Sequence, residues 1–200
     1  MKNEMNKHAL NRLLTQAGIA VPDAALARLV MFADLLHEWN QTHNLTGAKT
    51  REVIYENIVD SLYPLTFVVR PDSLLDVGTG AGFPGLVLAA VWSDVPTVLS
   101  EPLGKRAAFL KFAVMEMGLT RVTVERKRVE VLVHAPFGLI TSRAVTDTRL
   151  LLDLTAHLRT PSTQYLLYKG SRAAAELAAL ETQPNYDIVQ WNKRNFVWIK

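Results

Sequence analysis

Two hundred residues, 49% of them hydrophobic and 20% charged, suffice for one ordinary domain with a proper core and leave no room for a second full one. The chain has no cysteine, which excludes disulfides, thiolate metal sites and cysteine nucleophiles and fits a reducing compartment, here expected to be the cytoplasm. No apolar run approaches the roughly 18 residues that span a bilayer and no signal-type core follows the start, so neither a membrane span nor export is expected. The net charge of +3 suits a polyanionic partner without demanding one.

In chain order, Leu10, Leu13, Leu14 and Ala17 recur at spacings of three and four, which predicts an amphipathic helix over 6–17, stopped by Gly18. Pro22 suits the start of a longer helix, and Leu26, Leu29, Val30, Ala33, Leu36 and Trp39 trace one face of it ahead of the polar stretch 40–44. Thr50 can cap a third helix, with Val53 or Ile54, Ile58, Val59, Leu62 and Leu65 inward and Pro64 ending or bending it. Beyond Pro71 short apolar runs alternate with helical stretches, the mark of a parallel sheet with crossover helices. Strands are predicted over 73–77, 97–100, 122–125, 139–141 and 164–168, and helices over 84–90, 104–117, 147–158 and 171–180. The tail alternates over 186–191 and 196–200 around the turn-like 192–195, so it predicts a closing antiparallel hairpin. The expected fold class is α/β, a Rossmann-like sheet over 71–200 with a helical N-terminal cap over 1–70, together a single domain.

The densest chemical signal is Leu74-Leu75-Asp76-Val77-Gly78-Thr79-Gly80-Ala81-Gly82-Phe83-Pro84-Gly85, an apolar strand running into glycines and then into a helix start. Glycines there let backbone amides approach a ligand closely. Dinucleotide-phosphate sites use Gly-x-Gly-x-x-Gly at this turn, whereas this chain has Gly-x-Gly-x-Gly, which favours a ligand without a pyrophosphate. A turn serving only close strand-to-helix packing is the competing reading. Glu101 ends the second strand about 20 residues further on, where a carboxylate accepts from both hydroxyls of a ribose and disfavours a 2′-phosphate. A solvated charge at a strand end is the alternative there. Past the third strand, Val129 and Glu130 are candidates for the polar rim of an adenine, and the basic triplet 126–128 reads as a solvated face.

Those features suit an adenosyl ligand without a pyrophosphate, and if that ligand is a methyl donor the fourth strand narrows the chemistry. It reads Ile140-Thr141-Ser142-Arg143-Ala144, without the Asn/Asp-Pro-Pro-aromatic run typical of enzymes that methylate exocyclic amines. Methylating a pyrimidine carbon needs a cysteine nucleophile, which is absent. A ring nitrogen with a free lone pair, such as guanine N7, needs neither device, only positioning and exclusion of water. Arg143 can bind the cofactor, hold a base edge or phosphate, or form a structural ion pair. The five histidines show no metal spacing, Asp60 and Glu101 make no obvious acid/base pair, and no serine nucleophile motif occurs, so no metal and no catalytic general base is expected.

The residues Trp39-Asn40, Asn44-Leu45-Thr46, Asp60-Ser61-Leu62, Asp76 to Gly85, Lys105-Arg106, Phe109-Leu110, Arg128-Val129-Glu130, Ser142-Arg143-Ala144 and Lys169-Gly170 together resemble the bacterial small-subunit ribosomal RNA methyltransferases of the glucose-inhibited division protein B type. The resemblance implies a class I methyltransferase fold and transfer of a methyl group from S-adenosylmethionine to guanine N7 of 16S ribosomal RNA. It places cofactor positions on Gly78, Phe83, Glu101, Val129, Glu130 and Arg143, with Gly80 and Gly82 shaping the same pocket. Lys105, Arg106 and Lys169 are expected to contact RNA phosphate, and a monomer is expected. The family usually has histidine at Asn57 and alanine at Thr146, departures that bear on the RNA-facing surface. Two competing functions are a nicotinamide-dependent oxidoreductase, disfavoured by the glycine spacing, and a non-catalytic RNA-binding or ribosome-assembly factor.

Overall fold

The computed structural model describes residues 2–182 and 184–200. Helices α1 (Lys2–Gln16), α2 (Asp23–His43) and α3 (Arg51–Leu62) come first. Then follow β1 (Leu74–Val77), α4 (Gly85–Val91), β2 (Thr97–Ser100), α5 (Gly104–Glu116), β3 (Val122–Glu125), β4 (Leu139–Arg143), α6 (Thr148–Leu154), β5 (Gln164–Lys169) and α7 (Ala173–Ala178). The chain closes with β6 (Tyr186–Trp191) and β7 (Arg194–Ile199). The sheet order is β3-β2-β1-β4-β5-β7-β6, the first five strands parallel and the last two antiparallel.

Alternation along the strands divides the core between the two sheet faces. Leu74, Leu99, Leu139, Leu166 and Tyr168 belong with α1 to α5, whereas Leu75, Val98, Ile140, Tyr165 and Leu167 belong with Leu151, Leu158 and Leu177. The N-terminal helices therefore share one apolar cluster with the sheet, and Phe32 of α2 lies edge-on to Phe83 with ring centroids 5.3 Å apart.

Local chemistry sets the element ends. Gly18, at φ 72°, closes α1: its amide donates to the Thr15 carbonyl at 3.0 Å and the Ile19 amide to Leu14 at 2.9 Å, the two bonds of a Schellman cap. Thr50 caps α3 by accepting from the Val53 amide, and of the two expected inward residues Ile54 is buried while Val53 is exposed. The polar stretch 40–44, read as following α2, belongs to it as far as His43, because Asn40 alone there is buried, and Asn44 ends it in the left-handed region. The helix expected over 147–158 breaks after Leu154. Thr155 Oγ1 bonds back to the Leu151 carbonyl at 2.8 Å and also meets the Tyr165 hydroxyl at 2.8 Å, which competes with continuing the helix. The hairpin turn is only Asn192-Lys193, with Asn192 at φ 51°, so β7 starts at Arg194 rather than at residue 196. Strand β4 runs on to Arg143, which puts that side chain at the carboxyl edge of the sheet.

The sheet meets the glycine loop through Asp76. Its Oδ2 accepts from the Gly85 amide at 2.7 Å, and a Cβ on Gly85 would stand 2.4 Å from the Asp76 Cβ, so only glycine allows α4 to start there. Asp76 is fully buried, and burial pushes its carboxyl up to about 7 against the lowering effects of Thr79, the Gly85 amide and Arg143. Between about pH 4 and 7 the folded chain thus holds a proton that the unfolded chain releases, so this group's contribution to stability falls as pH rises, by at most about 4 kcal/mol. Asp76→Asn should match wild type in denaturant unfolding near pH 4 and gain on it steadily towards pH 7, and parallel stability curves would contradict the buried neutral carboxyl.

Candidate active site

In the strand order the chain reverses direction between β1 and β4, and open α/β sheets form their ligand crevice at such a point, beyond the carboxyl ends of the strands. A cleft of about 460 Å3 lies there, lined by Leu45 to Gly47, Gly78 to Ala81, Phe83, Glu101 to Leu103, Arg106 and Arg143 to Val145. The structure thus brings six of the expected site residues, Gly78, Gly80, Phe83, Glu101, Arg106 and Arg143, to one cleft.

Glu101 is buried, and its carboxylate clamps two loops: Oε2 accepts from the Gly80 amide at 2.9 Å and Oε1 from the Leu103 amide at 2.8 Å. Each oxygen keeps a further lone pair for a hydroxyl donor, which suits a ribose diol. Gly78 and Gly80 sit at φ 65° and 63°, in the left-handed region that a side chain strains. An added Cβ on Gly78 would stand 2.6 Å from Val145 Cγ2, whereas one on Gly80 would meet nothing nearer than the Gly78 carbonyl oxygen at 4.0 Å. Ala144, next to Val145, adopts φ 55°, an uncommon geometry for a residue with a side chain. Gly82 lies beneath the cleft instead of on it, against the Phe32 ring and Leu86, so its smallness serves packing.

Arg143 stacks over Phe83 at 4.8 Å and donates from Nη1 to Asn57 Oδ1 at 2.9 Å and to Asp60 Oδ2 at 3.5 Å. Burial pulls its pKa below the usual guanidinium value, and Asp60 opposes that shift. Arg194 shares the same carboxylate, its Nε 3.2 and 3.1 Å from the two Asp60 oxygens. The sequence marks Asn57 only as a departure bearing on the RNA-facing surface and Asp60 only as part of a motif, and it assigns neither to this site. Their spacing of three puts them on one face of α3, but their partner lies more than 80 residues away in the chain.

The remaining expected residues fall elsewhere. Val129 is buried in the cluster on the other sheet face and Glu130 is exposed, in a 3-10 turn over Val129–Val131, so neither side chain lines the cleft. Lys105 is exposed on the first turn of α5. Arg106 donates from Nε to the Leu45 carbonyl at 3.2 Å. Lys169, expected to face phosphate, instead spends two of its donors on Glu176 and on the Thr146 carbonyl, both at 2.8 Å, with only 10% of its side chain exposed. Asn40 joins the end of α2 to the segment after it: its side-chain amide donates to the Thr46 and Ala48 carbonyls and accepts from the Thr46 amide, so it shapes the loop that forms one lip of the cleft. Among the described residues no group of three or more histidine, aspartate or glutamate side chains is arranged to hold a metal ion, and no helix is long and apolar enough to cross a membrane.

The sheet order, the glycine loop at the switch point and the buried acid at the end of β2 define a Rossmann-like methyltransferase of the S-adenosylmethionine-dependent class. In fold the chain is similar to an O-methyltransferase from Bacillus cereus in complex with S-adenosylhomocysteine (TM-score 0.60, 16% identity, 84% of this chain and 90% of that one). The sequence profile of the family described as rRNA small subunit methyltransferase G matches residues 25–197, and the chain belongs to that family. Relatives called ribosomal RNA small subunit methyltransferase G include one from Aliarcobacter butzleri, 44% identical over 191 residues, 96% of this chain and 98% of that protein. Another, from Wolinella succinogenes, is 44% identical over 190 residues, 95% and 97% of the two chains. Neither the nicotinamide oxidoreductase nor the non-catalytic assembly factor is favoured by these findings.

Two substitutions test the cleft by calorimetry with S-adenosylhomocysteine. Gly80→Val forces a β-branched residue to φ 63° and should weaken binding by about tenfold or more. Glu101→Gln sets an amide donor against one of two backbone amides, so it should cost roughly 1–3 kcal/mol in binding and also lower the unliganded chain's melting temperature. Wild-type affinity in both variants would remove the cofactor from this cleft.

Proposed function

We propose that this chain transfers a methyl group from S-adenosylmethionine to guanine N7 of 16S ribosomal RNA, in the cytoplasm, as a monomeric single-domain enzyme. The observation that carries the reading is the buried Glu101 carboxylate clamping the glycine loop, with the Arg143 guanidinium and the Phe83 ring in the same wall.

The residues present fit the cofactor. Glu101 offers acceptors to ribose hydroxyls, Gly80 leaves clearance for close approach, and Phe83 and Val145 supply apolar walls. When bound, S-adenosylmethionine supplies an electrophilic methyl group on a sulfonium, which needs no acid or metal to activate it. Guanine N7 carries a free lone pair in neutral RNA, so the chain has no proton to remove before attack. Its work is to orient the base and to exclude water. Arg143 is placed to orient the base, because only Nη1 has hydrogen-bond partners among the described residues, and its Nε and Nη2 hydrogens remain for a base carbonyl or phosphate oxygen. Lys105 and Arg106, at the start of α5 beside the cleft, are the proposed phosphate contacts. Lys169 contributes through its pair with Glu176, which ties β5 to α7. Val129 and Glu130 would meet the adenine only through the backbone of their turn, since neither side chain lines the cleft.

Nucleoside mass spectrometry of 16S RNA after incubation with the enzyme and cofactor should reveal 7-methylguanosine. An exocyclic methylguanosine would overturn the assignment. Single-turnover rates at saturating cofactor and RNA should stay nearly flat between about pH 6 and 9. A rate rising tenfold per pH unit, and losing that slope when one carboxylate or histidine is replaced, would reveal a general base. Neutralising Lys105 should flatten the salt dependence of RNA binding, whereas Lys169→Gln should act mainly on stability.

A further inference from the structure

Asp60, Arg143 and Arg194 come from α3, the end of β4 and the start of β7, and meet in one ionic group with side chains 16%, 16% and 29% exposed. Arg194 grips the carboxylate closely, with Nη2 3.0 Å from Oδ2, while Arg143 reaches the same Oδ2 at 3.5 Å. One carboxylate between two guanidiniums leaves the trio at +1, and without it the two cations would face each other unscreened: Arg194 already depresses the Arg143 pKa.

Other contacts beside the trio also join α3 to the sheet and the hairpin. Tyr63, just past α3, stacks on Trp191 of the hairpin with centroids 4.5 Å apart and planes 12° apart, and packs on Phe196; the Tyr168 hydroxyl donates to the Ser61 carbonyl at 2.6 Å. Docking of the hairpin on α3 therefore has its own support, and the ionic group is free to serve the cleft. Asn57 adds to it. Its amide donates to the Val53 carbonyl at 2.8 Å, which turns Oδ1 towards Arg143. Arg143 is thus held by two acceptors on one face of α3 and by Phe83 beneath, gripped through a single nitrogen, on the wall of the cleft.

We propose that Asp60 is a positioning residue for methyl transfer, which holds the Arg143 guanidinium over Phe83 and links Arg194 of the terminal hairpin to the same site. This rests on the reading of the cleft as a methyltransferase centre. Asp60 does not line the cleft and acts through Arg143.

A double-mutant cycle tests it. Single-turnover methyl transfer to 16S RNA is measured for wild type, Asp60→Asn, Arg143→Lys and the double variant, beside calorimetry with S-adenosylhomocysteine and melting temperatures. Asp60→Asn should slow the wild-type reaction by about tenfold, change the dissociation constant by less than about threefold, and slow Arg143→Lys by less than about threefold. Asp60→Glu should recover part of the loss. Equal fold losses in the two backgrounds, no loss of rate, or a loss matched by a fall in melting temperature would overturn the proposal. If wild type methylates no RNA, the functional reading fails, and positioning is read instead from the nitrogen-15 NMR signal of Arg143 Nε. That signal should shift or broaden in Asp60→Asn, and an unchanged signal would overturn the proposal on its own.

Discussion

At Gly78 and Gly85, the two ends of the glycine loop, neighbouring atoms stand closer than a side chain would allow. Asp76 holds its far end through the Gly85 amide and Glu101 holds its middle through the Gly80 amide, so two carboxyls on adjacent strands grip one loop. Their environments differ. Asp76 is sealed beneath the loop, where burial raises its carboxyl to about 7, whereas Glu101 lines the cleft and keeps lone pairs that a ligand can use. One loop thus meets a sealed carboxyl at one end and a carboxyl open to the cleft at its middle.

The helices before the sheet belong to this arrangement. Phe32 of α2 fills the space under Gly82 and meets Phe83 edge-on, and Arg143 stacks on the same Phe83 ring. Asn40, also on α2, sets the loop at the cleft's lip, and Asn57 and Asp60 of α3 hold Arg143. The cleft lip and the guanidinium are therefore positioned from the N-terminal helices, and the glycine loop packs against them. A ring nitrogen that attacks with its own lone pair asks an enzyme for orientation more than for proton transfer, and the residues that meet at this cleft are suited to orientation.

Much of this was legible in the chain because it is local. The glycine loop, Glu101 at the end of β2 and the Thr50 cap follow from residues within a few positions of one another, and strands β2 and β3 fall at the predicted positions. What was not legible depends on distant partners. Lys169 looks like any basic residue near a strand end until Glu176 is seen to occupy it, and nothing near Val129 in the chain tells that its side chain is buried on the other sheet face. Asp60 carried no sign of its two arginines, 83 and 134 residues further on. The early end of α6 was hidden for the same reason, since Thr155 turns towards Tyr165 on another strand.

The most direct measurement is the crystal structure of the complex with S-adenosylhomocysteine. The ribose hydroxyls should donate to Glu101, with the homocysteine portion passing over Gly78 and Gly80 towards Arg143. A nucleoside bound outside this cleft, with Glu101 contacting only the amides of Gly80 and Leu103, would contradict the assignment of the site.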